Sequence, residues 1–359
     1  MDIKQILNMK QRDVIGLDIG SSSVNIIAMT KDISGYIVKA AGRVDITANQ
    51  ANEPGTVLNE KDNMNIINAI RNCFVMAKLR AKQKLRTNLA VCGVSGPEVA
   101  VRDFAFPGLP EEEIESAINL EADVICPFNA GQAAVDYQLI SDSEDNTKGI
   151  IVAATKSLIA GKNQFVNKAG LKCVLMDVDG LALLNCFSNL VQESDREAAA
   201  VLNVGNSNTT LAVLNKEGWP FIRDTSIAGN DITAQILNEN EISKEDLNSI
   251  LFNSDQEMSD EFKNSMERAS DNLISSVSNA LRFYAAQEKS VPVKKIYACG
   301  GFSVAKGFVE LLSRRLGMEV VLWNPFSDIR CNASKGCKEI LKNNGHTLVV
   351  AAGLAMRSI

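Results

Sequence analysis

An apolar segment that breaks at a glycine occurs twice in this sequence, and the repeat constrains the fold more than any other feature. The first copy is VIGLDIGSSSVNIIAM at 14–29, and the second is AAVLNVGNSNTTLAVL at 199–214. Each reads as a strand that breaks at a glycine flanked by small hydroxyl and amide residues. Because only two copies occur, they indicate two similarly built halves rather than a solenoid. The first copy carries a carboxylate, Asp18, where the second has an amide, Asn203.

Predicted strands and helices alternate along the rest of the chain. Runs such as LAVCGVS and GIIVAATKS read as strands. Ile66, Ile70 and Phe74 recur at the spacing of an amphipathic helix. A long helix is predicted to bury a stripe that runs from Met266 to Tyr284, and 345–356 is predicted as a last apolar helix. The alternation predicts an α/β fold.

Charge and cysteine usage limit which cellular compartment and which classes of partner are expected. The 359 residues carry 37 basic and 43 acidic side chains, a net charge of −6, with no basic tract, so nucleic acid is not an expected partner. Eight cysteines lie scattered through apolar runs without a CxxC pair, as buried thiols do in a reducing compartment. Residues 1–13 lack the apolar core of a signal peptide. We therefore expect a cytoplasmic protein that contacts membranes only through partners.

The single histidine and the glycine turns direct the search for a site. One histidine, His346, gives poor support to a catalytic triad or a histidine-rich metal site. A strand that ends in Gly-Ser-Ser-Ser can direct backbone N–H groups and hydroxyls at one anion. One such turn is usually only a turn. Two that face each other would hold a polyphosphate from both sides, and CGGFSVAKG at 299–307 adds a third glycine turn.

Other nucleotide motifs do not fit. The pair Gly161-Lys162 is followed by Asn163 and lacks the earlier glycine of GxxxxGK[ST], and no GxGxxG opens a helix. Asp18, close to the first glycine turn, is the candidate Mg²⁺ residue, acting through water because Mg²⁺ dehydrates reluctantly.

Several motifs carry a resemblance to a known family. GLDIGSSSV, VGNSNTT, ACGGFSVAKG and AAGLAM resemble the phosphate-1, phosphate-2, adenosine and final connecting motifs of the actin-like ATPase superfamily. LPEEEIESAINLEADVICPF, AGLKCVLMDVDGLALLN, SVSNALRFYAAQ and RRLGMEVVLWNPF resemble the FtsA-related PilM family of type IV pilus assembly proteins, in the family's order. The resemblance spans about 14–356.

The resemblance implies an actin-like ATPase fold, with two related lobes around a nucleotide cleft and an FtsA-type inserted subdomain. The first lobe would comprise 12–88, 173–196 and 340–359. The inserted subdomain would span 89–172. The second lobe would span 197–339, with its smaller part at about 230–289.

The same resemblance implies ATP and Mg²⁺ as cofactors. Asp18 would hold Mg²⁺, Asp179 would orient water, and Asn203 stands at the catalytic position that opens the second phosphate motif. The implied nucleotide-binding residues are Gly20, Ser21, Ser22, Ser23 and Asn25 in the first lobe, Gly205, Asn206, Ser207, Asn208 and Thr209 in the second, Gly229 and Asp231 on the ribose side, and Arg282, Gly300, Gly301 and Phe302 beside adenosine.

Two positions depart from the family pattern. Asn25 stands where PilM-like sequences often have lysine, and Asn203 stands where the second phosphate motif normally begins with aspartate. An amide cannot take a proton from water. We therefore expect these replacements to affect hydrolysis, which should be slow or absent, more than nucleotide binding. The alternative is that Asn203 only completes a strand-end hydrogen bond while a neighbouring carboxylate covers its role.

The function implied is that of an ATP-binding assembly protein of a type IV pilus or a related type II secretion complex. It would bind the cytoplasmic N-terminal tail of a PilN-like inner-membrane protein and switch by lobe closure. Two alternatives stay open. A phosphotransferase of the same superfamily is disfavoured by the insertion and by Asn203. A scaffold that binds no nucleotide is disfavoured by the intact glycine turns.

Overall fold

The computed structural model describes residues 14–46, 60–82, 85–143, 146–192, 199–215, 218–253, 258–287 and 290–357. The N-terminal segment 1–13, for which no signal peptide is expected, lies outside these ranges, as does 193–198. None of the helices among the described residues combines the length and the hydrophobicity of a membrane span.

Strands and helices alternate as the sequence predicts. The strands are β1 (Ile15–Ile19), β2 (Ser23–Asp32), β3 (Gly35–Asp45), β4 (Leu89–Val94), β5 (Val99–Pro107), β6 (Ala133–Ser143), β7 (Asn146–Thr155), β8 (Lys172–Val178), β9 (Ala199–Val204), β10 (Thr209–Leu214), β11 (Pro220–Thr225), β12 (Lys295–Cys299), β13 (Glu319–Leu322) and β14 (Arg330–Cys331). The helices are α1 (Glu60–Arg80), α2 (Glu111–Ile125), α3 (Lys156–Lys168), α4 (Asp179–Leu190), α5 (Gly229–Asn240), α6 (Lys244–Asn248), α7 (Asp260–Ala285), α8 (Phe308–Leu316), α9 (Lys335–Asn344) and α10 (Val349–Ala355).

Each copy of the repeat is a hairpin rather than one strand. The first forms β1 and β2, and the second forms β9 and β10, with antiparallel pairing in both. Nearly every residue on these strands is buried, because helices cover both faces of their sheets. The alternation of apolar and polar residues that marks a half-buried strand is therefore absent, and only the glycine shows where the chain turns back.

Two mixed sheets form the two lobes. Among the described residues, the first has six strands in the order β14-β3-β2-β1-β4-β8, and the second has five in the order β11-β10-β9-β12-β13. β4 pairs with β1, so it lies in the first sheet rather than in the inserted subdomain. β14 pairs with β3, so the chain returns to the first lobe earlier than the predicted boundary at 340.

The inserted subdomain is built on a third sheet, with the order β5-β7-β6. α2 begins after Pro110 with three acidic residues in its first turn, and it buries Ile114 and Ile118 against Phe104 and Ile151. α3 follows β7 directly and leads back to the first lobe, where Val166 lies in the core beside α1.

Two helices cross in the centre of the molecule, between the sheets of the two lobes. α10 packs on β1, and α4, which the sequence did not predict, packs on α10 and on β10 of the second lobe. Glycine permits this close approach. A Cβ on Gly353 would lie 1.8 Å from the Ala182 carbonyl oxygen, and one on Gly16 would lie 1.8 Å from that of Ala351.

The long helix of the second lobe matches its prediction. α7 is capped by Ser259, whose hydroxyl accepts a hydrogen bond from the Phe262 N–H at 3.2 Å. The predicted apolar stripe is buried in the core of the second lobe. Its members are Met266, Leu273, Val277, Leu281 and Tyr284.

Candidate functional site

A cleft of about 810 Å³ lies between the two lobes and is also lined by residues of the loop between β4 and β5 and of α3. Most of the predicted site residues come together here. Those that line the cleft are Asp18, Gly20, Ser21, Ser22, Ser23, Asn25, Asp179, Asn203, Gly205, Asn206, Ser207, Asn208, Gly300 and Gly301.

The two hairpin turns that face the cleft have the same hydrogen bond. The N–H of Gly20 donates to the carbonyl of Ser23 at 3.0 Å, and the N–H of Gly205 donates to the carbonyl of Asn208 at 3.0 Å. A Cβ on Gly205 would lie 2.8 Å from the Asn208 carbonyl oxygen, so this turn requires glycine. Turns of this kind present backbone N–H groups and small polar side chains, which suits an anionic ligand.

The first turn is preceded by a partly buried carboxylate, Asp18. Burial, reinforced by the negative charge of Asp179, raises the pKa of Asp18 to about 6. A hydrogen bond from Asn25 Nδ2 to Asp18 Oδ2 at 3.0 Å and the charges of Lys162 and Arg43 oppose that rise. Asn25 thus orients Asp18 from the neighbouring strand, where the two residues are directly paired.

The second carboxylate, Asp179, is the first residue of α4. Burial raises its pKa, and the charge of Lys162 is the largest opposing influence. In the described part of the chain, Asp179 Oδ1 and Asn25 Oδ1 are buried acceptors without a hydrogen-bond partner. Buried acceptors left unpaired cost about 1–3 kcal/mol each. A hydrated cation would supply donors to both, so these residues fit Mg²⁺ held through water.

The opposing wall carries Asn203, the penultimate residue of β9. Asn203, Thr210 and Asp224 occupy one row across β9, β10 and β11. Asp224 accepts a hydrogen bond from the Thr210 hydroxyl at 2.5 Å and another from the Gly96 N–H at 3.4 Å. Burial raises its pKa to about 6. Asp224 is not a lining residue of the cleft.

Two basic residues of the cleft are absent from the site that the sequence predicts. Lys162 of α3 donates to the carbonyl oxygens of Ile19 at 3.0 Å and Gly93 at 3.1 Å. Arg43 of β3 donates to Ser23 Oγ at 3.1 Å and forms an ion pair with Asp45 at 2.8 Å. No local motif marks either residue, because each reaches the cleft from an element distant in sequence.

The third glycine turn closes one end of the cleft. Gly300 has a φ of +95°, and a Cβ there would lie 2.4 Å from the Val204 carbonyl oxygen, so glycine is required. Its N–H donates to the carbonyl of His346 at 2.9 Å. The space above Gly301 is open. This turn therefore joins the second lobe to the turn that precedes α10.

His346 lines the cleft and is buried, and its environment predicts a measurable titration. Burial and the positive charge of Arg43 lower the pKa of His346 to about 4. In the unfolded chain the pKa returns to about 6.5. Acid therefore favours unfolding through this group, and its stabilising contribution is lost as the pH falls from about 6.5 toward 4.

The only histidine of the chain gives a single pair of imidazole resonances. We expect these NMR signals to show a neutral ring at pH 6 and protonation near pH 4. Arg43→Met is expected to raise this pKa, and unfolding in urea to return it to about 6.5. A folded-state midpoint at or above 6 would contradict the environment described.

Five predicted residues lie outside the cleft lining. Gly229 donates from its N–H to the Gly205 carbonyl at 3.1 Å and packs under the ring of Phe302, which is buried in the core of the second lobe. Asp231 accepts from the Ala228 N–H at 2.8 Å at the start of α5. Buried Thr209 donates to the carbonyl of Ile227, and Arg282 lies on the exposed side of α7. Gly229, Phe302, Asp231 and Thr209 therefore support the second-lobe turns from outside the cleft lining.

Two lobes around one cleft, with a matching hairpin turn in each, define an actin-like ATPase fold. The family model of the type IV pilus assembly protein PilM matches residues 16–359, and the chain belongs to that family. The chain is also similar to three solved structures. These are a PilM–PilN type IV pilus biogenesis complex (22% identity, 97% of this chain and 98% of that chain, TM-score 0.77), the ethanolamine utilization protein EutJ from Carboxydothermus hydrogenoformans (15%, 99% and 93%, 0.55) and a glycerol dehydratase reactivase (10%, 96% and 99%, 0.51).

Proposed function

We propose that this chain is a cytoplasmic assembly protein of a type IV pilus or related type II secretion complex and that it binds Mg-ATP between its lobes. The observation that supports nucleotide binding best is the pair of matching turns at Gly20 and Gly205, whose glycine, serine and asparagine residues line one cleft from both lobes. Asp18 and Asp179 would hold hydrated Mg²⁺, which neutralises phosphate charge when bound. The Gly300 turn would receive the nucleoside.

The protein would act as a switch rather than as a fast enzyme. Nucleotide that contacts both lobes favours the closed arrangement only to the extent that it binds that arrangement more tightly. Asn203 supplies no general base from the second lobe. The closed and open forms would differ in their affinity for a partner. Such a switch requires nucleotide binding but not hydrolysis.

The partner we propose is the N-terminal tail of a PilN-like inner-membrane protein. The support is membership of the PilM family and the likeness to a structure in which PilM and PilN form a complex. Titration of the protein with a synthetic peptide of that tail, with a scrambled peptide as control, tests this part. Equal binding of both peptides would remove the proposed partner.

The nucleotide part is tested by identifying what the protein retains. The purified protein is incubated with Mg-ATP, freed of unbound nucleotide, denatured, and the released nucleotide is identified. We expect intact ATP in about one equivalent. Released ADP would show that Asn203 does not disable hydrolysis. Release of neither nucleotide, together with no binding in an equilibrium titration, would favour a scaffold that binds no nucleotide.

A further inference from the structure

Lys162 is a cation in the cleft that no phosphate motif contains. It stands on α3, and its ammonium donates to the carbonyl oxygens of Ile19 and Gly93 at 3.0 and 3.1 Å. Ile19 directly precedes Gly20, so the ammonium lies at the entrance of the first-lobe turn. Lysine has three donors. Two are used here, and within the described residues the third has no acceptor.

The surroundings of Lys162 leave its charge available to an anionic ligand. Its hydrogen-bond acceptors are neutral carbonyls. The charge of Lys162 lowers the pKa values of Asp18 and Asp179, but neither carboxylate forms an ion pair with it in the described structure. Arg43, which also lines the cleft, is already engaged by Asp45 and by the hydroxyl of Ser23. A lysine binds phosphate as a mobile point charge and can leave such carbonyls for a stronger acceptor.

The position of α3 gives this contact a second consequence. α3 begins at the residue after β7, and Thr155 at the junction accepts a hydrogen bond from the Leu158 N–H. The Thr155 hydroxyl also donates to Glu98 at 2.6 Å, beside the first strand of the inserted sheet. Less than two turns of α3 therefore separate Lys162 from the junction with the inserted sheet.

We propose that Lys162 binds the phosphate groups of the nucleotide in this cleft and thereby makes α3 and the inserted subdomain respond to nucleotide occupancy. This inference rests on the proposed nucleotide-binding function. It assigns the phosphate-binding cation to the helix that leads out of the inserted subdomain rather than to the turns of either lobe.

Lys162→Met removes the ammonium and keeps most of the apolar stem. We expect Mg-ATP to bind about 10- to 100-fold more weakly, since hydrogen bonds to charged groups contribute on this scale. Adenosine, measured by competition, has no phosphate and should bind as it does to the wild type. Lys162→Arg should retain most of the ATP affinity. Lys168→Met, in the exposed last turn of the same helix, is the matched control and should change neither ligand.

Amide hydrogen exchange provides the second readout. Saturating Mg-ATP should slow exchange along 156–168 in the wild type and in Lys168→Met, but not in Lys162→Met. Unchanged ATP affinity in Lys162→Met would overturn the phosphate contact. Equal loss of ATP and adenosine would show that Lys162 only supports the fold. Unchanged exchange in the wild type would overturn the coupling. If the wild type binds no ATP, the proposed function fails and this inference fails with it.

Discussion

Gly353→Ala should lower the free energy of unfolding by about 3 kcal/mol or more, at the upper end of the range for overpacked cores. The added Cβ would lie 1.8 Å from the carbonyl oxygen of Ala182 and 2.5 Å from its carbonyl carbon. Both atoms belong to the backbone of α4, so no side-chain rotation relieves the contact. α10 and α4 must separate at the centre of the core that joins the lobes. Urea unfolding followed by circular dichroism measures the loss.

Gly161→Ala is the matched control for that substitution. Gly161 lies inside α3, and a Cβ there meets nothing within 4 Å. Alanine in a helix interior is preferred over glycine by about 0.5–1 kcal/mol, so this variant should be slightly more stable than the wild type. Equal midpoints for the two variants would show that the crossing of α4 and α10 tolerates a methyl group.

Asn203→Asp should raise the rate of ATP hydrolysis by about 10²-fold or more, the scale of general-base catalysis. Asn203 lines the cleft at the strand position that corresponds to Asp18 in the other lobe. The carboxylate two strands away, Asp224, is held by Thr210 and Gly96 and does not line the cleft, so it does not replace the missing base. Phosphate release in a single turnover measures the change.

Two variants separate the effect of a base from that of charge or size. Asn208→Asp places the same charge in the turn that follows β9, and Asn203→Ser removes the amide without adding a carboxylate. Neither should accelerate hydrolysis. If Asn208→Asp matches Asn203→Asp, added charge rather than proton transfer explains the gain. If Asn203→Asp stays at the wild-type rate, the second lobe does not supply the base.

The sequence was sufficient to predict the fold and the two turns, because the signals for both are local. The glycine of each hairpin, the small residues after it and the apolar strands around it lie within 16 consecutive residues in each copy. The hydrogen bond that closes each turn spans only three residues. The apolar stripe of α7 was equally predictable, since helical periodicity shows which face meets the core.

The remaining features depend on contacts between distant residues. Lys162 is 143 residues from Ile19, and its sequence neighbours match no phosphate motif. Arg282 shows what helical periodicity cannot decide. Periodicity places it on the polar side of α7, but it cannot say whether that side faces the cleft or the solvent, and the structure has it exposed. β14 is two residues long, which is too short for any pattern to predict.

The return of the chain to its first lobe has a consequence for synthesis on the ribosome. The sheet that begins at β1 receives its last strand at 330–331 and its central covering helix only at 349–355. The second-lobe sheet, by contrast, is complete in sequence once residue 322 has been made. The lobe that is translated first therefore keeps an apolar face uncovered until 349–355 has been made, while the lobe translated later can fold before it.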